Sequence, residues 1–120
     1  MALILIVEDE VFIRESAEWM MEDLGHTTLV AGNLAEAIVH LSTSAPIDAL
    51  FVDMRLDALR FGGCEVANRA IALRPDLRVL YTSGTPLTQD ITDQFVRGGQ
   101  FILKPYSPEQ LGVSMQRLLN

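Results

Sequence analysis

Five short apolar runs, separated by segments of helical periodicity, constrain the fold of this 120-residue chain more than any other feature. The runs are ALILIV (2–7), TTLVA (27–31), ALFV (49–52), RVLYT (78–82) and FIL (101–103). Continuous apolar runs are typical of parallel strands that helices cover on both faces, whereas half-exposed strands alternate apolar and polar residues. We therefore predict five buried parallel strands.

Each segment after a run predicts a helix, because its apolar residues recur every three or four positions. These stripes are Ile13, Ala17, Met20 and Leu24; Leu34, Ala37, Ile38 and Leu41; Val66, Ala70 and Leu73; Leu87, Ile91 and Phe95; and Leu111, Met115 and Leu118. Asn33 with Glu36, and Ser107 with Gln110, are typical of capped helix N-termini. Gly25 is placed to end the first helix.

Five strand–helix units in sequence predict an α/β fold over residues 1–120 as one domain. Right-handed crossovers would give a doubly wound (βα)5 three-layer sandwich with a parallel five-stranded sheet. With the strand order 2-1-3-4-5, strand order reverses between the first and third strands. Sites in open α/β sheets form at that point, outside the carboxyl ends of the strands.

Composition excludes several classes of function. The formal net charge of −7 disfavours binding to nucleic-acid phosphates. No apolar run approaches the roughly 20 residues that span a bilayer. Cys64 is the only cysteine, so an internal disulfide is excluded and a reducing cytoplasm is the expected location. We expect no nucleic-acid and no membrane partner.

Polar residues follow the apolar runs where one edge of the sheet would lie. Glu8 and Asp9 come after the first run, Asp53 after the third, Thr82 ends the fourth, and Lys104, the only lysine, follows the fifth. Carboxylates this close repel one another unless a cation joins them. Oxygen ligands suit Mg²⁺, with Mn²⁺ or Ca²⁺ as alternatives. Acidic residues at strand ends can also simply cap the following helix.

The lysine and the threonine add a second chemical indication. An ammonium and a hydroxyl beside carboxylates suit a phosphoryl group carried on one of those carboxylates. The Lys104–Pro105 bond can be cis, which would let the chain bend there.

Four motifs in this order carry a family resemblance: VEDE, FVDMRL, YTSG and LKPYSPEQL. The chain resembles the receiver domain of two-component response regulators over nearly its whole length. The resemblance implies a flavodoxin-like or CheY-like fold with Asp53 as phosphoacceptor, supplied by a sensor histidine kinase or a histidine phosphotransfer protein. It implies that Glu8, Asp9, Asp53 and the backbone carbonyl of Arg55 hold Mg²⁺.

The resemblance also assigns the switch and the partner surfaces. Lys104, preceding a cis Pro105, would pair with the phosphoryl group, Thr82 would move to bond it, and Phe101 would change rotamer with Thr82. Around this switch, Ile91, Phe95, Phe101 and Tyr106 would face an unknown downstream protein. Helix one would dock the histidine donor through Ile13 and Arg14. Trp19 is expected to pack rather than to signal.

Two departures from the family pattern fall after the phosphoacceptor. Asp57 stands where most receivers have a proline, four residues after Asp53. The loop DALRFGG is longer than usual, so the third helix is expected to start late.

Other functions remain as alternatives. A receiver-like interaction module that is never phosphorylated would lack part of the set Glu8, Asp9, Asp53, Thr82 and Lys104. An aspartyl phosphatase would want an acid where Arg55 stands, and a flavin carrier would want a hydroxyl-rich loop where EDEVF stands. We expect a stand-alone signalling switch rather than an enzyme, with the terminal receiver of a hybrid histidine kinase as the alternative.

Overall fold

The computed structural model describes all 120 residues and contains five strands and five helices in strict alternation. They are β1 Leu3–Val7, α1 Val11–Asp23, β2 Thr27–Ala31, α2 Leu34–Leu41, β3 Ala49–Asp53, α3 Gly62–Leu73, β4 Arg78–Ser83, α4 Gln89–Thr92, β5 Gln100–Leu103 and α5 Pro108–Leu119. Every predicted strand is confirmed to within one residue at each end. None of the helices combines the length and apolar character needed to cross a membrane.

The sheet is wholly parallel, and its order β2-β1-β3-β4-β5 confirms the predicted doubly wound topology. In the register, Val7 lies beside Val52. Asp53 lies beside Thr82, and Ser83 beside Leu103. The carboxyl ends of β1, β3, β4 and β5 therefore meet at one edge, which brings the residues that follow them together.

Two apolar cores cover the two faces of the sheet. Successive side chains of a strand point to opposite faces, so Leu5 and Val7 enter the core beneath α2 and α3. Ile4 and Ile6 enter the core beneath α1 and α5. All four are at most 1% exposed, which explains why the strand sequence shows no polar alternation.

Local signals fix the helix ends as the sequence indicates. The Ser107 hydroxyl accepts a hydrogen bond from the backbone N–H of Gln110. The Gln110 side-chain oxygen accepts one from the backbone N–H of Ser107, which completes a capping box. At the end of α1, Gly25 has φ +92°. Its N–H donates to the Glu22 carbonyl and that of His26 donates to Met21, the pattern of a Schellman motif.

Two helices differ from their predicted stripes. Helix α4 is a single turn, because i→i−3 hydrogen bonds tighten its end and the Val96 N–H instead donates to the Tyr81 hydroxyl at 2.9 Å. In α1, Met21 is fully buried while Met20 is half-buried. The prediction that Trp19 packs is wrong, since 74% of it is exposed. Periodicity identifies the apolar residues of a helix but not which neighbours cover them.

Candidate functional site

Three carboxylates meet at the edge of the sheet between β1 and β3. Side-chain oxygens of Glu8, Asp9 and Asp53 lie within 4.8 Å of one another. Glu8 and Asp53 are buried, at 4% and 9% exposure, whereas Asp9 is exposed to solvent. The site thus combines two carboxylates removed from water with a third that reaches it.

Lys104 lies between the two buried carboxylates. Its Nζ donates to Glu8 Oε1 at 2.9 Å and to Asp53 Oδ2 at 3.2 Å. Burial alone would lower the pKa of the Lys104 ammonium, but its contacts with Glu8 and Asp53 outweigh burial and raise it. The Lys104–Pro105 peptide bond is cis, as the family resemblance implied.

The single positive charge of Lys104 does not neutralise the negative charge of the surrounding carboxylates. Burial, together with the neighbouring Asp53, raises the pKa of Glu8 to about 7, although Lys104 acts in the opposite direction. Three carboxylates and one ammonium carry two net negative charges when all are ionised. The site is therefore electrostatically suited to a divalent cation.

Two buried polar atoms at this edge have no hydrogen-bond partner: Glu8 Oε2 and Thr82 Oγ1. A buried unpartnered oxygen costs free energy, so such atoms are uncommon unless a ligand or an ion completes them. Glu8 Oε2 offers an acceptor to a cation. The Thr82 hydroxyl, opposite Asp53 in the sheet register, offers a donor to a group carried on that aspartate.

The residues at this edge of the sheet are suited to bind Mg²⁺. The donors are all oxygens, as hard divalent cations require, and one of them is a buried oxygen without a partner. The carbonyl of Arg55 as a further ligand stays a prediction.

Gly63 holds the start of α3 directly against the Asp53 backbone. A Cβ at this position would lie 2.0 Å from the Asp53 carbonyl oxygen and 2.8 Å from Met54 Cα. The Gly63 N–H donates to the Met54 carbonyl at 2.8 Å, and the Met54 N–H donates to Thr82. Only glycine allows this approach, because any other residue would place its Cβ against the Asp53 backbone.

The loop before α3 reverses direction between Leu56 and Leu59, which pair through two backbone hydrogen bonds of 3.2 and 2.8 Å. The central residues, Asp57 and Ala58, have φ of +52° and +63°. Proline is locked near −65°, so this reversal excludes the proline that most receivers have there. Helix α3 starts at Gly62, after this reversal, as the longer loop predicted.

The Asp57 N–H donates to Asp9 Oδ2 at 3.1 Å, which connects this loop to the acidic cluster. Nothing in the sequence signals this contact, because the two residues are separated by 48 positions.

A small cavity connects the carboxylates to α1. Glu8, Asp53, Thr82 and Lys104 all line it, and Tyr106 closes one side, with its ring 5.9 Å from that of Phe51. Burial, with the nearby carboxylates, raises the pKa of Tyr106 to about 12. Tyr106 therefore belongs to the wall of the site as well as to the packing beneath α5.

An apolar groove of about 590 Å³ lies outside this wall, between α1 and the segment that connects β5 to α5. Its lining residues are Phe12, Ile13, Ser16, Met20, Gly84, Lys104, Pro105 and Tyr106. Phe12 is 81% exposed and was not singled out from the sequence. Arg14, which was expected on the same surface, donates from Nη1 to the Glu8 carbonyl at 3.0 Å and so braces the turn after β1.

The residues predicted to face a downstream protein divide between surface and core. Phe101 is half-buried in β5, and its ring lies 6.4 Å from that of Phe95, which stacks on Tyr81 at 4.0 Å. Ile91 is only 6% exposed and packs in the core beneath α2 and α3. The prediction that Ile91 faces a partner is wrong, because the short α4 turns it inward.

A family model described as the response regulator receiver domain matches residues 4–116. This chain belongs to the response regulator receiver domain family. The match covers β1 except for Leu3, covers the other four strands in full and includes each carboxylate of the acidic cluster. The resemblance inferred from the four motifs is thereby confirmed.

Individual relatives agree with this family. Response regulator MprA of Mycobacterium ulcerans is 27% identical over 117 residues, which are 97% of this receiver and 49% of MprA. A response regulator receiver protein from Sinorhizobium medicae has a TM-score of 0.87 at 27% identity, covering 99% of this chain and 94% of that one. Chemotaxis protein CheY4 of Vibrio cholerae, 21% identical, shares the fold at a TM-score of 0.88 over 99% of both chains.

This receiver spans about a quarter to a half of the curated relatives it matches.

Proposed function

We propose that this receiver accepts a phosphoryl group on Asp53 from a phosphohistidine and acts as a Mg²⁺-dependent signalling switch. The observation that carries the proposal is the Thr82 hydroxyl, which is buried, unpartnered and opposite Asp53. An oxygen in that state is ready to bond a phosphoryl oxygen on Asp53. A domain that is never phosphorylated would gain nothing from leaving this hydroxyl without a partner.

The transfer itself requires positioning more than a dedicated base. An Asp53 carboxylate oxygen attacks phosphorus and forms the O–P bond as the P–N bond to the donor histidine breaks. The electron pair returns to the imidazole nitrogen, which takes up a proton from solvent. Lys104, already 3.2 Å from Asp53 Oδ2, donates to the incoming phosphoryl oxygens. Bound Mg²⁺ would neutralise part of the charge on the phosphoryl group.

The same contacts would carry the signal to a surface. Thr82 adjoins Tyr81 in β4, and Tyr81 stacks on Phe95 and lies beside Phe101 in the sheet. A Thr82 displaced towards the phosphoryl group would favour one packing of these rings over another. Phosphorylation shifts an equilibrium only through such differential contacts, so we place the output surface on α4, β5 and α5. This surface would bind a downstream protein or support onward phosphotransfer.

The histidine donor would dock in the groove between α1 and the segment that connects β5 to α5. This groove is largely apolar, opens beside Lys104 and carries the exposed ring of Phe12. Aromatic side chains in such positions commonly dominate binding energy at protein interfaces. Ile13 would contribute there as predicted, whereas Arg14 would act through the Glu8 backbone.

The test is intact-protein mass after incubation with acetyl phosphate, with and without Mg²⁺. We expect wild type to gain one phosphoryl group only with Mg²⁺, and Asp53→Asn to gain none. Asp76→Asn, which changes an exposed aspartate at the opposite edge of the sheet, should behave as wild type.

Rapid hydrolysis of the phosphoaspartate would hide the product. Beryllofluoride mimics the phosphoryl group without hydrolysing, so its binding to wild type separates a short-lived phosphoaspartate from an inert site. If neither acetyl phosphate nor beryllofluoride modifies wild type, the domain is an interaction module that is not phosphorylated.

A further inference from the structure

The Leu56–Leu59 reversal uses a backbone conformation that ordinary residues avoid. Asp57 and Ala58 both have positive φ, and the flanking leucines exchange two hydrogen bonds, as in a type I′ turn. Residues other than glycine seldom adopt the left-handed region, and Asp and Asn are among those that tolerate it best. Leu56 anchors the reversal at 2% exposure. Two adjacent strained residues in an anchored turn call for a physical reason.

The turn directs the Asp57 N–H to Asp9. This bond, 3.1 Å to Oδ2, is the hydrogen bond by which the exposed Asp9 carboxylate is tied to the rest of the domain. An ionised carboxylate has about four acceptor positions, so one N–H leaves the others for a cation. Without this bond, Asp9 would sample several rotamers in solvent.

The Asp57 side chain does not explain the arrangement. Its carboxylate is exposed and does not belong to the group of oxygens within 4.8 Å of one another, which consists of Glu8, Asp9 and Asp53. What reaches the cluster from this loop is the backbone amide.

We propose that the Leu56–Leu59 turn is a positioning device for the cation site, in which the Asp57 amide pre-orients the Asp9 carboxylate. The inference rests on the proposed function, because it concerns the same Mg²⁺ site. It requires a residue at position 57 that keeps its N–H and tolerates positive φ. Proline fails on both counts.

The test is the Mg²⁺ dissociation constant, measured by isothermal titration calorimetry on folded wild type and three variants. Asp57→Gly keeps the amide and the turn but removes the side chain, and its dissociation constant should stay within about threefold of wild type. Asp57→Pro removes the amide, and Mg²⁺ should bind about tenfold more weakly, as expected for a lost hydrogen bond to a charged group. Ala58→Val keeps the amide but disfavours the turn, and it should also weaken binding.

A purely structural role would give a different pattern. Positioning acts on Mg²⁺ affinity, so phosphorylation of Asp57→Pro by acetyl phosphate should recover the wild-type rate at saturating Mg²⁺. If Asp57→Pro binds Mg²⁺ as wild type does, or if Asp57→Gly is as weak as Asp57→Pro, the inference is overturned. If Asp57→Pro does not fold, the Mg²⁺ dissociation constant of Ala58→Val tests the inference instead, and wild-type affinity in that variant overturns it.

These measurements distinguish a failure of this inference from a failure of the proposed function. A wild-type protein that binds Mg²⁺ and is phosphorylated, with all turn variants unchanged, overturns the turn's role alone. A wild-type protein that neither binds Mg²⁺ nor accepts a phosphoryl group overturns both.

Discussion

Gly63→Ala tests whether the contact between α3 and the Asp53 backbone leaves no room for a side chain. Real Cβ atoms essentially never approach another heavy atom closer than 3.0 Å, and this one would stand 2.0 Å from the Asp53 carbonyl oxygen. An overlap of at least 1.0 Å must therefore be relieved, and the obstacle is backbone rather than a flexible side chain.

The expected loss of stability follows from three contributions. Overpacking against backbone costs about 3 kcal/mol, the upper part of its usual range. Loss of the bond from the Gly63 N–H to the Met54 carbonyl costs about 1 kcal/mol more. The higher helix propensity of alanine returns up to about 1 kcal/mol. The net loss is about 3 kcal/mol, which for a 120-residue domain lowers Tm by about 12 °C.

Urea unfolding followed by circular dichroism measures this loss directly. Gly84→Ala is the matched control, because a Cβ there meets nothing within 4 Å, and its stability should stay within about 0.5 kcal/mol of wild type. Because the strain falls on Asp53, Gly63→Ala should also accept phosphoryl groups more slowly from acetyl phosphate. A loss of less than about 1 kcal/mol would show that α3 moves away from the Asp53 backbone freely and that the contact at Gly63 is not tight.

Three further predictions concern charge, capping and docking. The pKa of Glu8 is raised to about 7 in the folded protein, from an ordinary value of 4.5. The neutral form of Glu8 therefore stabilises the folded state fully below about pH 4.5, and this stabilisation is lost as pH rises through about 7. Without Mg²⁺, Glu8→Gln should remove this dependence of the free energy of unfolding on pH, measured by urea unfolding at several pH values. The same pH dependence in the variant and in wild type would contradict this prediction. Ser107→Ala should cost about 1 kcal/mol in the same assay, whereas exposed Ser44→Ala should not. Phe12→Ala should slow phosphotransfer from a phosphohistidine protein about tenfold but leave the acetyl phosphate reaction unchanged. Val39→Ala, which changes an exposed apolar residue on α2, should alter neither rate.

The topology and the main site could be predicted because both follow from short-range sequence patterns. Buried parallel strands need continuous apolar runs, and the carboxyl ends of such strands necessarily share an edge. Glu8, Asp53, Thr82 and Lys104 could thus be grouped before any distance was known. Their pairing by Lys104 and the two buried oxygens without partners depend on side-chain geometry, which the sequence does not contain.

The remaining features depend on contacts between residues far apart in the chain. Ile91 is apolar on a predicted helix, but only the short α4 decides that it points inward. Trp19 fits a packing role by composition and is exposed because no element covers that side of α1. The left-handed conformation of Asp57 and Ala58 could not be predicted, because neither residue is a glycine, the usual sequence signal for positive φ.

The single turn of α4 has a consequence for local stability. From Gly84 to Gly99 the chain has little repeating hydrogen bonding of its own and is attached to the sheet mainly through Ile91, Phe95 and the bond from the Val96 N–H to Tyr81. Segments with few such bonds open at a small fraction of the free energy of global unfolding. Amide hydrogens in this segment should therefore exchange with solvent well before those of α1 and α5. Since the segment lies directly after Thr82, the hydrogen bonds of one phosphoryl group on Asp53 would be enough to reshape it under the proposed function.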